Sequence, residues 1–498
     1  MFQRILSASE MKRCDSYTIE QIGIPSIELM KRAAAAVACE TERRYSNMSH
    51  VFIVCGSGNN GGDGFALAEI LSHGRAKKIT VVFVGDEDGM TDGCAFFKAA
   101  AEKRENIDIV KDTDFADATL IVDAIFGIGL SRNIEGKYAR IINKMNEARC
   151  KKVAVDIPSG INADTGEVMG VAFRANLTVT FAAAKRGQVY YPGVKYCGMI
   201  IVCDIGISLD APDGEKEVFS SFLKAPYAPP KRDPASNKGT YGKVLIIGGA
   251  AGMAGAVYFS ALAAYRTGAG LVRIFAAEEN RTALATLIPE AVLTTYKSGE
   301  TVETERSLKA ALADATVVVT GPGLSKSEDA RAILHTVLAE CKVPLLLDAD
   351  ALNIIAEEDI SLCRDIPVIV TPHMGEMARL TKKSIDELKK KQIGEAFDFA
   401  EKQNCICVLK DARTAVSDSA RCYLNTSGCS AMSKGGSGDV LTGVIAALVA
   451  EGMTPFEAAA LGVFLHGKAG EAASAEKGAY SVLARDIANA INPEKCNF

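Results

Sequence analysis

The chain has 498 residues, a formal net charge of −5, 48% hydrophobic residues and 23% charged residues. This is an ordinary composition for a globular protein, and the length suits two large α/β domains or about three average ones. The acidic balance argues against a surface for nucleic acid or an anionic membrane, and no apolar run is long enough to span a bilayer. Charges at Arg4, Glu10 and Lys12 replace the apolar core of a signal peptide, so a cytoplasmic protein is expected.

The fourteen cysteines are scattered and form no C-x-x-C array with the spacing of a zinc site. Cys405 and Cys407 alternate within an apolar run, which is typical of one face of a β-strand. The pattern favours reduced thiols in the protein core.

The first half of the chain alternates predicted helices with short β-rich runs. Apolar spacing predicts two helices in residues 1–45, interrupted at Gly23, Ile24 and Pro25. Another helix is expected to resume at Phe65, after a glycine-rich turn over 56–64. The predicted strands cover residues 51–55, 79–84, 120–123, 153–156, 177–181 and 199–203. Such alternation indicates a parallel sheet covered on both faces.

Residues 210–239 contain five prolines with mixed charges and little periodicity, and we interpret them as a linker. A second α/β series follows it. The predicted strands cover residues 243–247, 271–275, 316–320, 344–347, 368–370 and 406–409. Two alanine-rich helices are predicted near 438–451 and 455–475.

The segment GSGNNGGDGF begins at Gly56, directly after a predicted strand. Gly56, Gly58 and Gly61 match a dinucleotide-binding pattern, in which backbone N–H groups and a helix N-terminus approach a pyrophosphate. A tight turn without a ligand remains an alternative. However, a bare turn has no need of two asparagines and an aspartate among glycines, so the segment favours an ion or a ribose as ligand.

Two further predicted strands end in aspartate. Asp123 leads into AIFGIGLSR, and Asp156 begins DIPSG, which contains Ser159. Ligands of open parallel sheets bind outside the carboxyl ends of the strands, so these groups and Asn60 could share one crevice. For each aspartate alone, a helix N-cap is the alternative.

In the second half, the motif GGSGD spans residues 435–439 and opens a predicted helix. Backbone N–H groups of Gly436, Ser437 and Gly438 could form an anion hole there. Asp439 beside it could take a proton from a hydroxyl, which is the logic of phosphoryl transfer. A capped flexible loop is the alternative, and for His373 the alternative is a surface or capping histidine.

NNGGDG, VDAIFGIGLSR, DIPSG and FAAAKRG resemble the NAD(P)H-hydrate epimerase domain over residues 1–215. The resemblance implies a Rossmann-like three-layer αβα fold with potassium bound by Asn60, Asp123 and Ser159, oxygen ligands that suit a hard cation. Asp156 would be the acid/base residue, and Lys185 could neutralise a phosphate unless it is a solvated surface lysine. The implied substrate contacts are Asn59, Asn60, Gly61, Gly62, Asp63, Gly127, Ile128, Gly129, Leu130, Ser131, Arg132, Asn133, Asp156 and Lys185.

NKGTYGKVLIIGG, GPGL, LLLDADALN, TPHMGE and GSGD resemble the NAD(P)H-hydrate dehydratase branch of the ribokinase-like α/β fold, over residues 225–498. The implied substrate contacts are Gly255, Gly323, His373 and Asp439, with Asp439 catalytic. The implied nucleotide contacts are Lys410, Asp411, Ala412, Arg413, Thr414, Gly436, Ser437 and Gly438. Two residues depart from the pattern: Asp411 replaces a glycine, and Met374 replaces a proline. A carboxylate at 411 would repel phosphates.

The resemblance implies repair of hydrated NADH and NADPH. One half would interconvert the R and S forms, and the other would dehydrate the S form with ADP and Mg²⁺. A homo-oligomer is expected, without nucleic-acid or membrane partners. One rival is a vitamin-type kinase, which would not explain residues 59–64. Another is a non-catalytic dinucleotide-binding protein, against which Asp439 argues.

Overall fold

The computed structural model describes residues 3–210, 217–220 and 225–495, and the chain divides into two compact units, Arg4–Glu215 and Lys216–Phe498. Among the described residues, no helix combines the length and apolarity needed to cross a membrane. The thirteen described cysteines are all free thiols, as predicted, but Cys39 and Cys363 are exposed and so do not lie in the predicted core.

The N-terminal unit is built on a seven-stranded, wholly parallel sheet in the order β4-β3-β2-β5-β6-β7-β9. A short separate pair, β1 with β8, is also parallel. The strands are β1 (Gln3–Leu6), β2 (His50–Cys55), β3 (Lys78–Phe83), β4 (Ile107–Val110), β5 (Leu120–Ala124), β6 (Lys151–Val155), β7 (Leu177–Phe181), β8 (Ala184–Lys185) and β9 (Met199–Cys203).

Helices cover both faces of this sheet. The helices are α1 (Ala8–Tyr17), continued by a π-helical turn Thr18–Ile22, α2 (Ser26–Arg44), α3 (Asn59–Ser72), α4 (Asp92–Ala101), α5 (Gly136–Glu147), α6 (Arg186–Val189) and α7 (Val194–Cys197). One core cluster joins α2, α3 and α4 to one face of the sheet, and another joins α5 to the opposite face. This arrangement confirms the predicted three-layer αβα class.

The start of α3 differs from the sequence prediction. The helix begins at Asn59, six residues before Phe65, so most of the glycine-rich segment forms its first turns. Gly61 permits this packing, because a Cβ there would lie 1.9 Å from the carbonyl oxygen of Gly56. Tertiary packing therefore overrides the low helix propensity of glycine and asparagine.

The C-terminal unit has a ten-stranded sheet in the order β13-β12-β11-β14-β15-β16-β17-β18-β19-β10. The pairs from β13 to β17 are parallel, β18 is antiparallel to both neighbours, and β10 pairs with β19 in parallel. The strands are β10 (Glu217–Ser220), β11 (Lys243–Ile247), β12 (Leu271–Ala277), β13 (Val292–Tyr296), β14 (Val317–Thr320), β15 (Leu345–Leu347), β16 (Val368–Val370), β17 (Ile406–Leu409), β18 (Ala415–Ser417) and β19 (Arg421–Leu424).

The helices of this unit are α8 (Ala254–Thr267), α9 (Arg281–Leu287), α10 (Thr301–Ala313), α11 (Glu328–Glu340), α12 (Asp350–Glu358), α13 (Met374–Thr381), α14 (Ile385–Lys390), α15 (Gln392–Gln403), α16 (Ser437–Ala450), α17 (Pro455–Lys477) and α18 (Ala484–Ala490). A large core cluster joins α8, α16, α17 and α18 to one face of the sheet. Helices α10 and α15 pack against the sheet but contribute nothing to that cluster, so they cover the other face. The α/β prediction is confirmed here too.

The predicted linker over 210–239 is only partly correct. Residues 211–216 and 221–224 lie outside the described residues. Between them, β10 pairs with β19 and belongs to the sheet of the C-terminal unit. Arg232 also lies 3.9 Å from the centroid of the Tyr241 ring. The second half of the predicted linker is therefore part of the folded C-terminal unit.

Candidate functional site

The N-terminal unit contains a cavity of about 580 Å³ at the carboxyl ends of its parallel strands, where open sheets bind ligands. Most of the residues predicted to contact substrate line it: Asn59, Asn60, Asp63, Gly127, Ile128, Gly129, Leu130, Ser131, Arg132, Asp156 and Lys185. Gly61, Gly62 and Asn133 do not belong to the described cavity wall. Gly62 approaches the backbone of Cys94, so both glycines serve close packing of α3.

Asp156 follows β6 with a φ of +62°, a strained value for a residue with a side chain. Its Oδ1 atom accepts hydrogen bonds from Thr180 Oγ1 at 3.0 Å, from Phe181 N at 3.3 Å and from Lys185 Nζ. The Lys185 side chain is only 1% exposed, which corrects the alternative of a solvated surface lysine. Lys185 therefore holds the Asp156 carboxylate in place, at the edge of the cavity.

Two more carboxyl groups face the same cavity. Burial, and secondarily the charge of Asp156, raises the pKa of Asp15. Burial, followed by the charges of Asp156 and Asp15, raises the pKa of Asp63 well above its usual range. Asp15 was not predicted from the sequence, because it lies in α1, far along the chain from the glycine-rich segment. Asp15 lies four residues after Met11, another lining residue, so the two share one face of α1, but no local sequence pattern marks that face as part of a site.

Asp123 is fully buried at the end of β5. Its Oδ1 accepts from Ser159 Oγ at 2.6 Å and from Ile125 N at 3.2 Å, and its Oδ2 accepts from Ser159 N at 2.7 Å. Burial raises the pKa of Asp123 to about 6, while the hydrogen bonds from Ser159 and Ile125 oppose the rise. Two of the three predicted potassium ligands, Asp123 and Ser159, are therefore hydrogen-bonded to each other.

Asn60, the third predicted ligand, is buried in the first turn of α3, and its Nδ2 atom has no hydrogen-bond partner among the described residues. A Cβ at Gly127 would lie 3.6 Å from Asn60 Oδ1, so the amide packs against the loop that follows β5. A buried amide without a partner is costly unless a ligand satisfies it.

In the C-terminal unit, polar groups from several strand ends meet beneath the start of α16. Asp348 follows β15, is 2% exposed, and pairs with Lys410 Nζ at 2.7 Å. Thr442 Oγ1 of α16 donates to Asp348 Oδ2 at 3.0 Å. Burial alone would raise the pKa of Asp348, but Lys410 and the hydrogen bonds it receives lower it below its usual range. The pair is thus a fully ionised one inside the fold.

The start of α16 covers this pair. A Cβ at Gly438 would lie 3.4 Å from Lys410 Nζ. Of the three N–H groups predicted to form an anion hole, that of Ser437 donates to Lys434 O at 3.3 Å. The backbone N–H groups of Gly436 and Gly438 have no acceptor among the described residues. The backbone N–H group of Asp439 has none there either. The Lys410 side chain and the N-terminus of α16 therefore give this place a positive potential, which favours binding of an anion.

Asp439 lies in the first turn of α16 and is half-buried. Burial, and then the charge of Asp348, raises the pKa of Asp439 to about 7, while Lys410 opposes the rise. A carboxyl group with a pKa near neutrality is suited to take and release protons at physiological pH.

His373 is the N-cap of α13. Its Nδ1 atom accepts from Gly375 N at 2.9 Å and from Glu376 N at 3.3 Å, so the capping alternative is present in the structure. The ring remains 55% exposed and can still contact a ligand. Glu376 is buried beside it, and burial raises the pKa of Glu376 to about 7. Met374 occupies the first helical position, where proline is tolerated, so this departure leaves the helix start intact.

The predicted nucleotide contacts at 410–414 form the connection between β17 and β18. Lys410 points inward to Asp348, whereas Asp411 and Ala412 are exposed. Arg413 NH1 donates to Thr426 O at 3.0 Å, and Thr414 Oγ1 donates to Asp411 O at 3.3 Å. The Asp411 carboxylate is therefore at the surface of this connection and not beside Lys410 in the interior.

The two predicted glycine contacts differ in setting. Gly323 has a φ of +58° and its carbonyl accepts from Ala250 N at 2.7 Å, which ties the loops after β11 and β14 together. A Cβ at Gly255 would meet only Phe259, at 4.0 Å, so Gly255 leaves space at the start of α8. Asp348 stands in the motif LLLDADALN, but its pairing with Lys410 was not predicted from the sequence. His466, which lies 3.3 Å from Ser437 Oγ, was not predicted either.

Two family models together cover most of the chain. Residues 244–493 match the family described as NAD(P)H-hydrate dehydratase, and residues 26–187 match the family described as YjeF-related protein N-terminus. A bifunctional NAD(P)H-hydrate repair enzyme of Coxiella burnetii is 37% identical over 93% of this chain and 94% of its own length. The chain belongs to this family of bifunctional repair enzymes.

Other bifunctional NAD(P)H-hydrate repair enzymes match over similar lengths. That of Moorella thermoacetica is 34% identical over 97% of this chain and 95% of its own length. That of Escherichia coli K12 is 33% identical over 98% and 94%. Among solved structures, an ADP/ATP-dependent NAD(P)H-hydrate dehydratase from Bacillus subtilis, co-crystallised with ATP/Mg²⁺, is 32% identical, covering 53% of this chain and 91% of its own, with a TM-score of 0.46.

Proposed function

We propose that the N-terminal unit interconverts the R and S forms of hydrated NADH and NADPH, and that the C-terminal unit dehydrates the S form. Membership of the bifunctional repair family over nearly the whole chain supports both activities. The observation that carries the second activity is Asp439, with a pKa near 7, beside free N–H groups and Lys410 at the start of α16. A homo-oligomeric state and a cytoplasmic location stay predictions.

In the dehydration, Asp439 accepts the proton of the substrate's ring hydroxyl, and the oxygen attacks the terminal phosphoryl group of ADP. AMP departs, and the start of α16 with Lys410 stabilises the phosphate charge. The ring nitrogen lone pair then expels phosphate, and loss of a proton from the adjacent ring carbon restores the dihydronicotinamide. We propose ADP as donor because the resemblance is to fused bacterial enzymes.

The residues present also fit Mg²⁺. This ion is usually held by substrate phosphates, waters and one or two carboxylates. Asp439, at the start of α16, and Asp350, whose charge contributes to the raised pKa of Asp439, are the candidate carboxylates. Bound Mg²⁺ would neutralise charge on the donor phosphates.

In the epimerisation, Asp156, whose carboxylate accepts a hydrogen bond from Lys185 Nζ, serves as the base at the cavity edge. Asp63 and Asp15, whose pKa values are raised, can hold a proton on the same cavity wall. Loss and return of the ring hydroxyl require one group that accepts a proton and another that donates one.

The direct test supplies the full chain with a mixture of both epimers, ADP, Mg²⁺ and K⁺, and follows the return of reduced-nicotinamide absorbance. The unmodified chain should consume the whole mixture. The Asp156→Asn variant should consume the S form and then stall with R remaining. A vitamin-type kinase would instead accumulate a phosphorylated product without absorbance recovery, and this result would contradict the proposal.

We further propose potassium at Asn60, Asp123 and Ser159. These residues offer a buried carboxylate, a hydroxyl and a buried amide whose Nδ2 atom has no partner among the described residues. A 180° rotation of the Asn60 amide would place its oxygen where the Nδ2 atom now lies. The three groups then form a suitable set of oxygen ligands. Bound potassium would screen the buried Asp123 charge and fix the loop ends around the cavity.

The Asp123→Asn variant should lose the potassium response of the N-terminal unit. It keeps the size of the side chain but removes the charge that attracts the ion. In the unmodified chain, K⁺ should raise both the epimerisation rate and the melting temperature relative to choline at equal ionic strength, because a ligand stabilises the state that binds it. Asp117→Asn, which changes an exposed carboxylate, is the matched control. A variant that kept both responses would rule out this site.

A further inference from the structure

A second cavity, of about 430 Å³, lies at the carboxyl ends of β3 and β4 in the N-terminal unit. We call it the basic groove. Its ionisable lining consists of four cations, Lys111, Lys137, Arg140 and Lys144, and two carboxylates, Asp86 and Asp112, which leave a net charge of +2.

Two of the cations are already paired. Lys137 Nζ lies 2.6 Å from Asp86 Oδ1, and Lys144 Nζ lies 2.7 Å from Asp112 Oδ1. Lys111 and Arg140 are exposed and form no ion pair or hydrogen bond within the described residues. The surplus positive charge of the groove therefore belongs to these two side chains, and an anion can pair with both.

The basic groove borders the substrate cavity. Lys137 lines the groove and its neighbour Tyr138 lines the substrate cavity, with Lys137 Nζ 5.2 Å from the centroid of the Tyr138 ring. A Cβ at Gly85 of the groove would lie 2.6 Å from the backbone nitrogen of Ser57, which lines the cavity. A dinucleotide is an elongated ligand, so one molecule can occupy both spaces.

The place of the groove in the sheet indicates which part of the ligand it meets. β3 is the neighbour of β2, the strand that precedes the glycine-rich segment. In dinucleotide-binding sheets of this kind, an acidic residue after the second strand bonds the adenosine ribose 2′-hydroxyl, and a nearby arginine accommodates a 2′-phosphate. Asp86 follows β3, and Arg140 lines the same groove.

We propose that the basic groove binds the 2′-phosphate of hydrated NADPH, so that Lys111 and Arg140 determine acceptance of the phosphorylated substrate. The proposal rests on the epimerase function proposed for this unit. A phosphate monoester at neutral pH carries close to two negative charges, which matches the surplus of the groove. Arginine can bind a phosphate through two parallel N–H groups, and lysine adds a point charge. Hydrated NADH has a hydroxyl in place of the 2′-phosphate, so it carries no charge at that position to pair with these cations.

The test is the double variant Lys111→Ala/Arg140→Ala, in the full chain. Epimerisation is measured without a phosphoryl donor, by chromatographic separation of R and S forms, for hydrated NADPH and hydrated NADH separately. The KM for hydrated NADPH should rise about tenfold at low salt, because two exposed charge pairs are lost, with kcat nearly unchanged. The KM for hydrated NADH should change less than about twofold.

The matched control is Arg149→Ala/Lys151→Ala, which removes the same charge from the amino-terminal edge of the same sheet. It should leave the ratio of the two KM values unchanged. An unchanged ratio in the groove variant, or an equal change in the control, would overturn the proposal. If the unmodified chain epimerised neither substrate, the proposed function would fail. Calorimetry would then still test the groove, which should bind adenosine 2′,5′-bisphosphate more tightly than AMP, and only with Lys111 and Arg140 present.

Discussion

Replacing Asp439 with asparagine should lower the rate of dehydration by about 10²–10⁴, the usual loss when a general base is removed. Asparagine keeps the size of the side chain but cannot take the hydroxyl proton. Nucleotide binding should survive, because backbone N–H groups of Gly436 and Gly438 and the side chain of Lys410 lie beside Asp439 and do not change. The measurement compares turnover of the S form with donor affinity in the same variant.

The pH dependence of dehydration gives an independent check. A base acts in its ionised form, and burial raises the pKa of Asp439 to about 7. The dehydration rate should therefore rise as pH increases through about 7 and fall below it, and the asparagine variant should lose this step. Epimerisation by the same preparation is the internal control, because the Asp439→Asn substitution should leave its rate unchanged at each pH. Near-normal dehydration in the variant would exclude Asp439 as the base.

The central parallel strands were predictable from sequence because they are buried on both faces. Leu177–Phe181, Lys243–Ile247 and Ile406–Leu409 have the predicted bounds, since apolar and β-branched runs of this kind suit the centre of a parallel sheet. Val292–Tyr296 and Arg421–Leu424 were missed. They carry threonine, arginine or tyrosine among apolar residues and lie toward the margins of the sheet, where a continuous apolar run is not required.

The site residues that lie at the ends of strands were predictable from the sequence. Asn60 and Asp156 follow strands and Asp123 lies at the end of one, and parallel strands bring their carboxyl ends to one edge. Asp15 was not predictable, because no local pattern says which helix closes the cavity. The pairing of Asp348 with Lys410 joins residues 62 positions apart. Lys410 was predicted to contact the nucleotide, and only the folded chain shows that it also pairs with the buried Asp348.

Replacing Lys410 with methionine should destabilise the C-terminal unit by about 3–5 kcal/mol. Methionine fills most of the space of the lysine stem but leaves the Asp348 carboxylate, 2% exposed, without its counter-charge. Removing one member of a buried ion pair costs about this much. For a unit of this size, each kcal/mol corresponds to about 2–4 °C, so the melting transition should fall by roughly 10 °C.

The double variant Lys410→Met/Asp348→Asn separates the pair from other effects. Asparagine can still accept the hydrogen bond from Thr442 and leaves no buried charge, so much of the lost stability should return. Calorimetry of the full chain measures both variants, and the epimerisation rate after brief heating reports whether the N-terminal unit has stayed intact. If the single variant melted as the unmodified chain does, Asp348 would have to be uncharged or otherwise compensated. That result would contradict the ion pair between Lys410 and Asp348 as a source of stability.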